Sequence, residues 1–296
     1  MKKIIEVSQL GKSYGKKKIL DKVSFAIQEG TFTTLIGCNG AGKSTTLRLL
    51  AGVESSDEGS IKVSGLDPYM YDFNQRAEVF LIHENLELSV SGTLLEFVKY
   101  YREVFPRWRN DVFNKILKDR KISLKKKFTD LSRGQKMQFM LMLAFAANPK
   151  MMLLDEITAV IDIEGQKYFL EALREYVNNG GTVVITTNIL SELNDYTDHL
   201  LLLQERHLMV NEEVKNLQKK FIVLKKTEDH QVFQHPKIAK IRKDYDGTEL
   251  YLIPREVIDE DTHVLKFKQE YPPRLEDILT LFFHLKQDQY EEELVA

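Results

Sequence analysis

Residues 37–44 read Gly-Cys-Asn-Gly-Ala-Gly-Lys-Ser and fit the phosphate-loop pattern G-x-x-x-x-G-K-[ST]. Glycines let the backbone turn so that several N–H groups point at one anion, and a following helix N-terminus adds partial positive charge. Lys43 supplies a full charge for the outer phosphates, and the Ser44 hydroxyl is a hard oxygen ligand for Mg²⁺. The loop predicts a nucleoside triphosphate site formed by Gly37, Cys38, Asn39, Gly40, Ala41, Gly42, Lys43, Ser44 and Thr45.

A second candidate element is the apolar run 151–154, which ends in Asp155 and Glu156. Asp155 is positioned to hold Mg²⁺ opposite Ser44, directly or through water, and Glu156 can polarise an attacking water. Phosphoryl transfer needs charge neutralisation and an oriented nucleophile, so the two acids would divide that work. The alternative is an acidic loop at a strand end, which the upstream phosphate loop disfavours.

Strand and helix patterns place both motifs at the ends of strands. Residues 32–36 form a short β-rich run that enters the loop, and the pattern over 44–50 is helical. A loop is expected at 11–15. Alternating strands and helices predict a parallel sheet that is covered on both faces. The other expected strands in this part of the chain are 4–7, 23–27, 151–154 and 182–187.

Residues of about 85–150 are expected to be mainly helical. Apolar side chains recur at helical spacing in the stretch 93–105, and Pro106 follows them. The lysine-rich stretch 115–127 is interpreted as a solvated helix face, with a nucleic-acid contact as the alternative.

Composition shifts after about residue 216. Short alternating runs at 221–224, 250–253 and 264–267 precede a helical pattern at 275–286. We expect a small α+β appendage over 217–296 without a catalytic motif. Its apolar helix would serve as its own core or as a dimer contact.

The bulk composition limits the function classes. There are 42 Lys and Arg residues against 44 Asp and Glu residues, so no basic excess calls for a nucleic-acid partner. The N-terminus lacks the apolar region of a signal peptide, and the longest apolar run, 139–147, is too short to span a bilayer. We therefore expect a chain that is soluble by itself and reaches a membrane only through a partner.

The single cysteine, Cys38, excludes an internal disulfide and fits a reducing compartment. Within the loop it is either a small residue at a variable position or a thiol made reactive by the loop amides and Lys43. In the second case, alkylation of Cys38 would block nucleotide binding.

Residues 130–136 read Asp-Leu-Ser-Arg-Gly-Gln-Lys and lie between the loop and the two acids. They resemble the ABC signature, usually Leu-Ser-Gly-Gly-Gln. With the three motifs in this order, the chain resembles the ATP-binding subunit of an ABC transporter. The resemblance implies an α/β fold, a P-loop NTPase ABC cassette over 1–215. This cassette would have a RecA-like core, a β-subdomain and a helical subdomain at about 85–150, and the accessory domain 217–296 would follow it. It also implies hydrolysis of ATP to ADP and phosphate, coupled to transport.

The resemblance assigns roles to further residues. In this family the signature of one cassette closes on the ATP of another, so Ser132, Gly134 and Gln135 would bind nucleotide in trans. Two cassettes would then sandwich two ATP molecules. Ser132 before a helical pattern is also a suitable N-cap, and helix N-termini attract anions. Tyr14 matches the aromatic residue that stacks on adenine, a contact typically worth ~1–3 kcal/mol.

Two positions depart from the family pattern. His83 stands where a glutamine senses Mg²⁺ and couples to the membrane subunit, and either His83 or Glu84 would substitute for it. Asn188 stands in place of the switch histidine, and an asparagine can donate a hydrogen bond but cannot carry a positive charge. Hydrolysis is then either slow, with a long-lived closed dimer, or sufficiently supported by Glu156 and the rest of the site.

The segment 105–108, Phe-Pro-Arg-Trp, resembles one branch of small bacterial exporters, which act on bacteriocins, cell-wall antibiotics and staphylococcal phenol-soluble modulins. The leading hypothesis is the ATPase of such a peptide, toxin or antimicrobial exporter. It would pair with itself or a second cassette on a multi-span membrane subunit, at the cytoplasmic face of the plasma membrane. The alternatives are a soluble ABC ATPase and a nucleotide-gated module with weak hydrolysis.

Overall fold

The structure, a computed structural model, describes residues 2–83, 92–188, 193–225, 238–244, 247–260, 270–280 and 282. The chain divides into two compact units. The first takes in Met1–Asn188 and Tyr196–Asn211, and the second takes in Ile189–Asp195 and Glu212–Ala296. The domain boundary expected at 215–217 stays a prediction.

The strands in the described part of the chain are β1 (Lys3–Tyr14), β2 (Lys17–Gln28), β3 (Phe32–Ile36), β4 (Glu58–Val63), β5 (Val79–Ile82), β6 (Met151–Asp155), β7 (Thr182–Thr187), β8 (His199–Gln204), β9 (His207–Glu213), β10 (Phe221–Lys225), β11 (Ala239–Lys243), β12 (Glu249–Pro254) and β13 (Glu270–Tyr271). The α-helices there are α1 (Lys43–Leu50), α2 (Phe73–Arg76), α3 (Leu94–Val104), α4 (Asn110–Asp119), α5 (Arg133–Ala147), α6 (Ile163–Asn178), α7 (Val214–Lys219) and α8 (Arg255–Glu260). Short 3₁₀ turns lie at Pro68–Met70, Phe128–Asp130 and Ile157–Val160.

A six-stranded sheet carries the motifs, with strand order β5-β6-β7-β3-β8-β9. The pairs from β5 through β8 are parallel, as the alternation of strands and helices predicts. Every residue of β3, β6 and β7 is buried, which fits central strands covered on both faces. The carboxyl ends of these three strands therefore lie side by side, and the phosphate loop and the two acids follow two of them.

A second sheet is antiparallel, with strand order β2-β1-β4. The prediction of a loop at 11–15 is wrong, because β1 continues through Tyr14 and the hairpin turn contains only Gly15 and Lys16. Tyr14 pairs with Lys17, and Gly11 pairs with Glu58 of β4. The second pairing joins distant parts of the chain, so the local Gly-Lys-Ser-Tyr-Gly pattern does not reveal it.

Helix α1 packs in the core that the two sheets of the first unit share. Its Leu47 and Leu50 are fully buried in one hydrophobic cluster with Leu10 and Leu20 of the antiparallel sheet and with residues of the parallel sheet. This packing fixes the helix whose first turn begins at the phosphate loop.

Three helices, α3, α4 and α5, lie in the region 92–150, which confirms its expected helical character within the described residues. The apolar run 139–147 belongs to α5, and all its residues are buried in the protein. Across the part of the chain that the structure describes, no helix has the length and hydropathy needed to cross a bilayer. The prediction of a helix over 115–127 is wrong beyond Asp119, where α4 ends. The lysines of this stretch are exposed, as expected for a solvated face.

The second unit contains a four-stranded sheet with order β11-β12-β10-β13. Strands β10 and β12 fall at the expected runs 221–224 and 250–253, and residues 275–280 are helical as predicted. The run 264–267 lies outside the described residues.

Candidate functional site

A cleft of about 430 Å³ opens in the first unit beside the phosphate loop. It brings residues from four stretches of the chain together, including both sequence motifs. The described residues that line it are Lys17, Ile19, Asn39, Gly40, Gly42, Lys43, Ser44, Thr45, Arg48, His83, Asp155 and Glu156.

The Lys43 ammonium group is almost entirely buried at one wall of this cleft, with 4% of the residue exposed. It donates hydrogen bonds to the backbone oxygens of Gly37 at 2.8 Å and Cys38 at 3.3 Å, and to Asn188 Oδ1 at 2.6 Å. The carboxylate of Glu156 lies 3.4 Å away. Because a buried charge is costly without partners, these contacts hold the ammonium group at a fixed place beside the loop.

The loop conformation depends on Gly42, the residue before α1. Its φ is 105°, and a Cβ there would lie 2.6 Å from the Leu20 side chain. Only glycine adopts this backbone region readily, so the sequence folds the loop tightly against β2.

The two acids sit at the carboxyl end of β6. Asp155 is 7% exposed, and the backbone of Glu156 turns out of the strand with φ 51° and ψ 37°. This left-handed conformation costs an L-residue roughly 1–2 kcal/mol. It is held by Thr186 of β7, whose Oγ1 accepts from the Glu156 N–H at 3.0 Å and donates to Asp155 Oδ1 at 2.6 Å. Left-handed non-glycine residues cluster at functional sites, and this one carries a candidate catalytic acid.

Asn188, just past the end of β7, connects the loop with the acid. Its Nδ2 donates to Asn39 Oδ1 at 2.8 Å and to Glu156 Oε1 at 3.1 Å, while its Oδ1 accepts from Lys43. A lysine can only donate and a carboxylate only accepts, so these partners fix the orientation of the amide. A side chain that joins the phosphate loop to the acid is well placed to respond to nucleotide.

Three predicted Mg²⁺ contacts, Ser44, Asp155 and His83, line the same cleft. A hydroxyl and a carboxylate are the oxygen donors that Mg²⁺ takes, and it usually keeps waters or phosphate oxygens for its remaining positions. No group of three or more His, Cys, Asp or Glu that could hold a metal occurs in the described ranges. The donor set therefore fits a metal shared with phosphate oxygens better than an all-protein site.

Tyr14 is not among the described lining residues of the cleft and is 43% exposed. Its hydroxyl donates to the Glu54 carboxylate and accepts from Arg48 Nη2 at 3.1 Å. Burial by itself would raise the pKa of Glu54, but hydrogen bonds from Tyr14 and Arg48 outweigh it and lower that pKa. Tyr14 is thus connected to the cleft through Arg48. Gly37, Cys38 and Ala41 also lie outside the lining set, with the Cys38 thiol exposed.

The signature residues do not line the cleft either. Ser132 is the N-cap of α5, as predicted: its Oγ accepts from the Gln135 N–H, and Gln135 Oε1 accepts from the Ser132 N–H, both at 3.2 Å. A Cβ on Gly134 would lie 2.6 Å from the Val160 carbonyl oxygen, so glycine is needed where α5 meets the turn after Glu156. Among the described residues no acceptor takes the hydrogen of the Ser132 hydroxyl, so this hydroxyl can still donate to a phosphate.

Sequence reasoning missed Lys17, Ile19, Arg48 and Thr186. Arg48 lies one turn after Ser44 in α1, so helical spacing places it beside the loop. Lys17 and Ile19 line the cleft because β2 packs against the phosphate loop. Thr186 looks like any β-branched strand residue until the pairing of β6 with β7 is known.

Comparison with known proteins agrees with these motifs. The family model described as ABC transporter matches residues 20–159. The arginine transport ATP-binding protein ArtM of Bacillus subtilis is 31% identical over 211 residues, which are 68% of this chain and 88% of that protein. The chain belongs to the ATP-binding subunits of ABC transporters.

Other relatives extend the comparison of this ABC ATPase. An uncharacterized ABC transporter ATP-binding protein of Methanocaldococcus jannaschii is 26% identical over 94% of this chain and 98% of its own length. The Nod factor export ATP-binding protein I of Rhizobium meliloti is 31% identical over 69% of this chain and 62% of its own length. Since the named relatives serve both amino-acid transport and export, membership does not fix cargo or direction.

The solved structures agree on the fold. The structure of an ATP-binding subunit of an ABC transporter superposes with a TM-score of 0.67, at 23% identity, over 73% of this chain and 92% of that one. This likeness confirms the predicted α/β ABC cassette.

Proposed function

We propose that the chain drives export of a peptide, toxin or antimicrobial through a separate membrane subunit, using ATP hydrolysed in the cleft beside Lys43. The observation that carries the hydrolytic part is the convergence of Lys43, Glu156 and Asn188. Their polar atoms lie within 3.4 Å of one another, between a glycine-rich loop and the carboxyl ends of β6 and β7.

The residues have separable roles in this proposal. The amides of residues 37–45 and the Lys43 ammonium group bind the phosphates, which replace Asn188 and Glu156 as partners of the lysine. Glu156 then orients and polarises the attacking water, and Asn188 donates a hydrogen bond toward the phosphate that is released. Tyr14 supports the base beside Arg48 by stacking.

Mg²⁺ would be held by Ser44 and Asp155, with His83 at the rim of the same cleft. When bound, the ion neutralises phosphate charge and polarises the phosphoryl oxygens. The side chains present contribute by holding oxygen donors in place, and Thr186 fixes one oxygen of Asp155.

The signature of a second cassette would complete the site. Ser132, Gly134 and Gln135 lie outside the cleft of their own chain, so in this proposal they meet nucleotide that is bound by another subunit. The partner is a second copy of this chain or a related cassette. The pair would work on a multi-span membrane subunit at the cytoplasmic face of the plasma membrane, and no nucleic-acid partner is needed.

Export as the direction is supported by the Phe-Pro-Arg-Trp segment at 105–108 and by the similarity to a Nod factor export subunit. The test is co-expression with the candidate membrane subunit, followed by assay of cargo uptake into inside-out vesicles. ATP-dependent uptake supports export. Uptake only in right-side-out vesicles contradicts it.

The hydrolytic part is tested by comparing wild type with Glu156→Gln, which keeps the shape of the side chain and removes its charge. We expect the kcat of wild type to exceed that of the variant by roughly 100-fold or more, with similar affinity for ATP. Equal rates would instead support the second candidate function, a nucleotide-gated module with weak hydrolysis. The neutral side chain of Asn188 is the observation that favours this candidate.

A further inference from the structure

Thr186, near the carboxyl end of β7, forms hydrogen bonds with both acids, Asp155 and Glu156. It stands opposite Asp155 in the parallel register of β6 and β7, and it is fully buried. Its side chain therefore lies within the protein, beneath the strand end that carries both acids.

The hydrogen bonds of Thr186 have fixed directions. The Glu156 N–H can only donate, so Thr186 Oγ1 accepts from it at 3.0 Å, and the Thr186 backbone oxygen accepts from the same group at 3.3 Å. The single hydroxyl hydrogen then goes to Asp155 Oδ1 at 2.6 Å. One hydroxyl thus links the side chain of the first acid with the backbone of the second.

These contacts have two consequences for the cleft. Among the described residues, the other oxygen of Asp155, Oδ2, accepts no hydrogen bond and is available to a cation. Glu156 is kept in its left-handed conformation, from which its carboxylate reaches Lys43 at 3.4 Å and Asn188 at 3.1 Å.

We propose that Thr186 is a positioning residue that sets the two acids relative to each other, so that the cation site and the water-orienting carboxylate form as one unit. The proposal deepens the proposed function and rests on it. Thr186 itself touches neither nucleotide nor water in this role, and it acts through the Asp155 carboxylate and the Glu156 backbone.

The decisive variant is Thr186→Val, which keeps the shape of the side chain and removes the hydroxyl. We expect kcat to fall about 10- to 100-fold, because small misplacements of catalytic groups carry costs of this size. Thr186→Ser retains the hydroxyl and is expected to recover most of the rate.

Thr33 offers a matched control. It is a fully buried threonine of β3, in the same sheet, and its hydroxyl has no hydrogen-bond partner among the residues that the structure describes. Thr33→Val is expected to leave kcat near the wild-type value. If Thr186→Val does not fold, the pair Thr186→Ser and Thr186→Ala isolates the same oxygen atom.

A second readout is ATP affinity measured by calorimetry with and without Mg²⁺. Thr186→Val should weaken the gain in affinity that Mg²⁺ gives and leave binding in EDTA unchanged. The proposal is overturned if Thr186→Val keeps the wild-type kcat, if Thr186→Ser loses as much rate as Thr186→Val, or if binding in EDTA falls equally. A wild type without ATP binding would overturn the proposed function itself, which separates the two failures.

Discussion

The cleft beside the phosphate loop and the signature segment at the start of α5 differ in how their polar side chains are connected. The cleft gathers a buried lysine, two acids and an asparagine in one connected set of hydrogen bonds. The signature residues satisfy one another through the capping box of Ser132 and Gln135, and none of them lines the cleft. In our proposal the first region holds a nucleotide by itself, whereas the second presents a helix terminus to another subunit.

From this difference we expect ATP binding to need one chain and ATP hydrolysis to need two. A single chain contains the loop, the lysine and the acids, so it should bind ATP. Hydrolysis should need the helix terminus of a second subunit. Variants in the two regions therefore separate affinity in the isolated chain from turnover in the assembled pair.

The largest effect is expected for Lys43→Ala. Removing the ammonium group deletes the charge opposite the phosphates and leaves Glu156 and Asn188 without a partner they share. We expect ATP affinity of the single chain to fall by roughly 100-fold, since charge-assisted hydrogen bonds are the strongest polar contacts. Calorimetry at a protein concentration that keeps the chain monomeric measures it, and unchanged affinity would contradict the role of the lysine.

A charge at the signature should act on turnover alone. Ser132→Asp keeps a good N-cap but adds a negative charge that repels phosphate, whereas Ser132→Asn caps equally well and stays neutral. We expect kcat to fall about 10- to 100-fold for the aspartate variant and much less for the asparagine variant. Affinity of the monomeric chain should not change in either. A loss of monomer affinity would show that the signature binds nucleotide in cis.

Tyr14 tests the edge of the cleft. Tyr14→Ala removes the ring and is expected to weaken ATP binding by about 10-fold, because base–aromatic stacking is typically worth ~1–3 kcal/mol. Tyr14→Phe keeps the ring and loses the hydrogen bonds to Glu54 and Arg48, so it is the matched control. If the phenylalanine variant loses as much affinity as the alanine variant, the hydroxyl contacts matter and stacking does not.

Cys38 tests how closely the loop encloses its ligand. Its thiol is exposed, and its backbone oxygen accepts from Lys43. We expect alkylation of Cys38 to block ATP binding and bound ATP to slow the labelling several-fold. Mass spectrometry of the labelled peptide measures this, and equal labelling with and without ATP would mean that Cys38 is only a small residue at a variable position.

The smallest effect is expected for Asn188→His. An imidazole can carry a positive charge next to Glu156 and the departing phosphate, which an amide cannot. We expect kcat to rise by a few-fold, with Asn188→Ala lower than wild type. If the histidine variant has an unchanged or lower kcat, the neutral amide does not limit hydrolysis.

The sequence was most informative where function imposes a residue type at a fixed spacing. The loop at 37–44, the acids after 151–154 and the N-cap role of Ser132 all follow from local chemistry, and the structure brings the first two together. Local pattern failed where distant pairing decides. Gly11 lies in β1 because it pairs with Glu58 of β4, and the sequence around Gly11 does not predict that pairing.

The role of Thr186 was hidden for the same reason. Its β-branched side chain predicts a strand, but only the register of β6 against β7 places its hydroxyl opposite Asp155. Arg48 and Ile19 likewise reach the cleft because α1 and β2 pack there, which depends on the joined core of the two sheets.

The most direct measurement mixes two impaired variants, Lys43→Ala and Ser132→Asp, in equal amounts and assays ATP hydrolysis. In a mixed pair, the intact cleft of the Ser132→Asp chain faces the intact signature of the Lys43→Ala chain. With random symmetric pairing, hydrolysis should recover to about a quarter of the wild-type rate. Recovery of that size supports a site shared between two subunits. A mixture as inactive as its components would contradict it, provided that crosslinking shows the mixed pair to form.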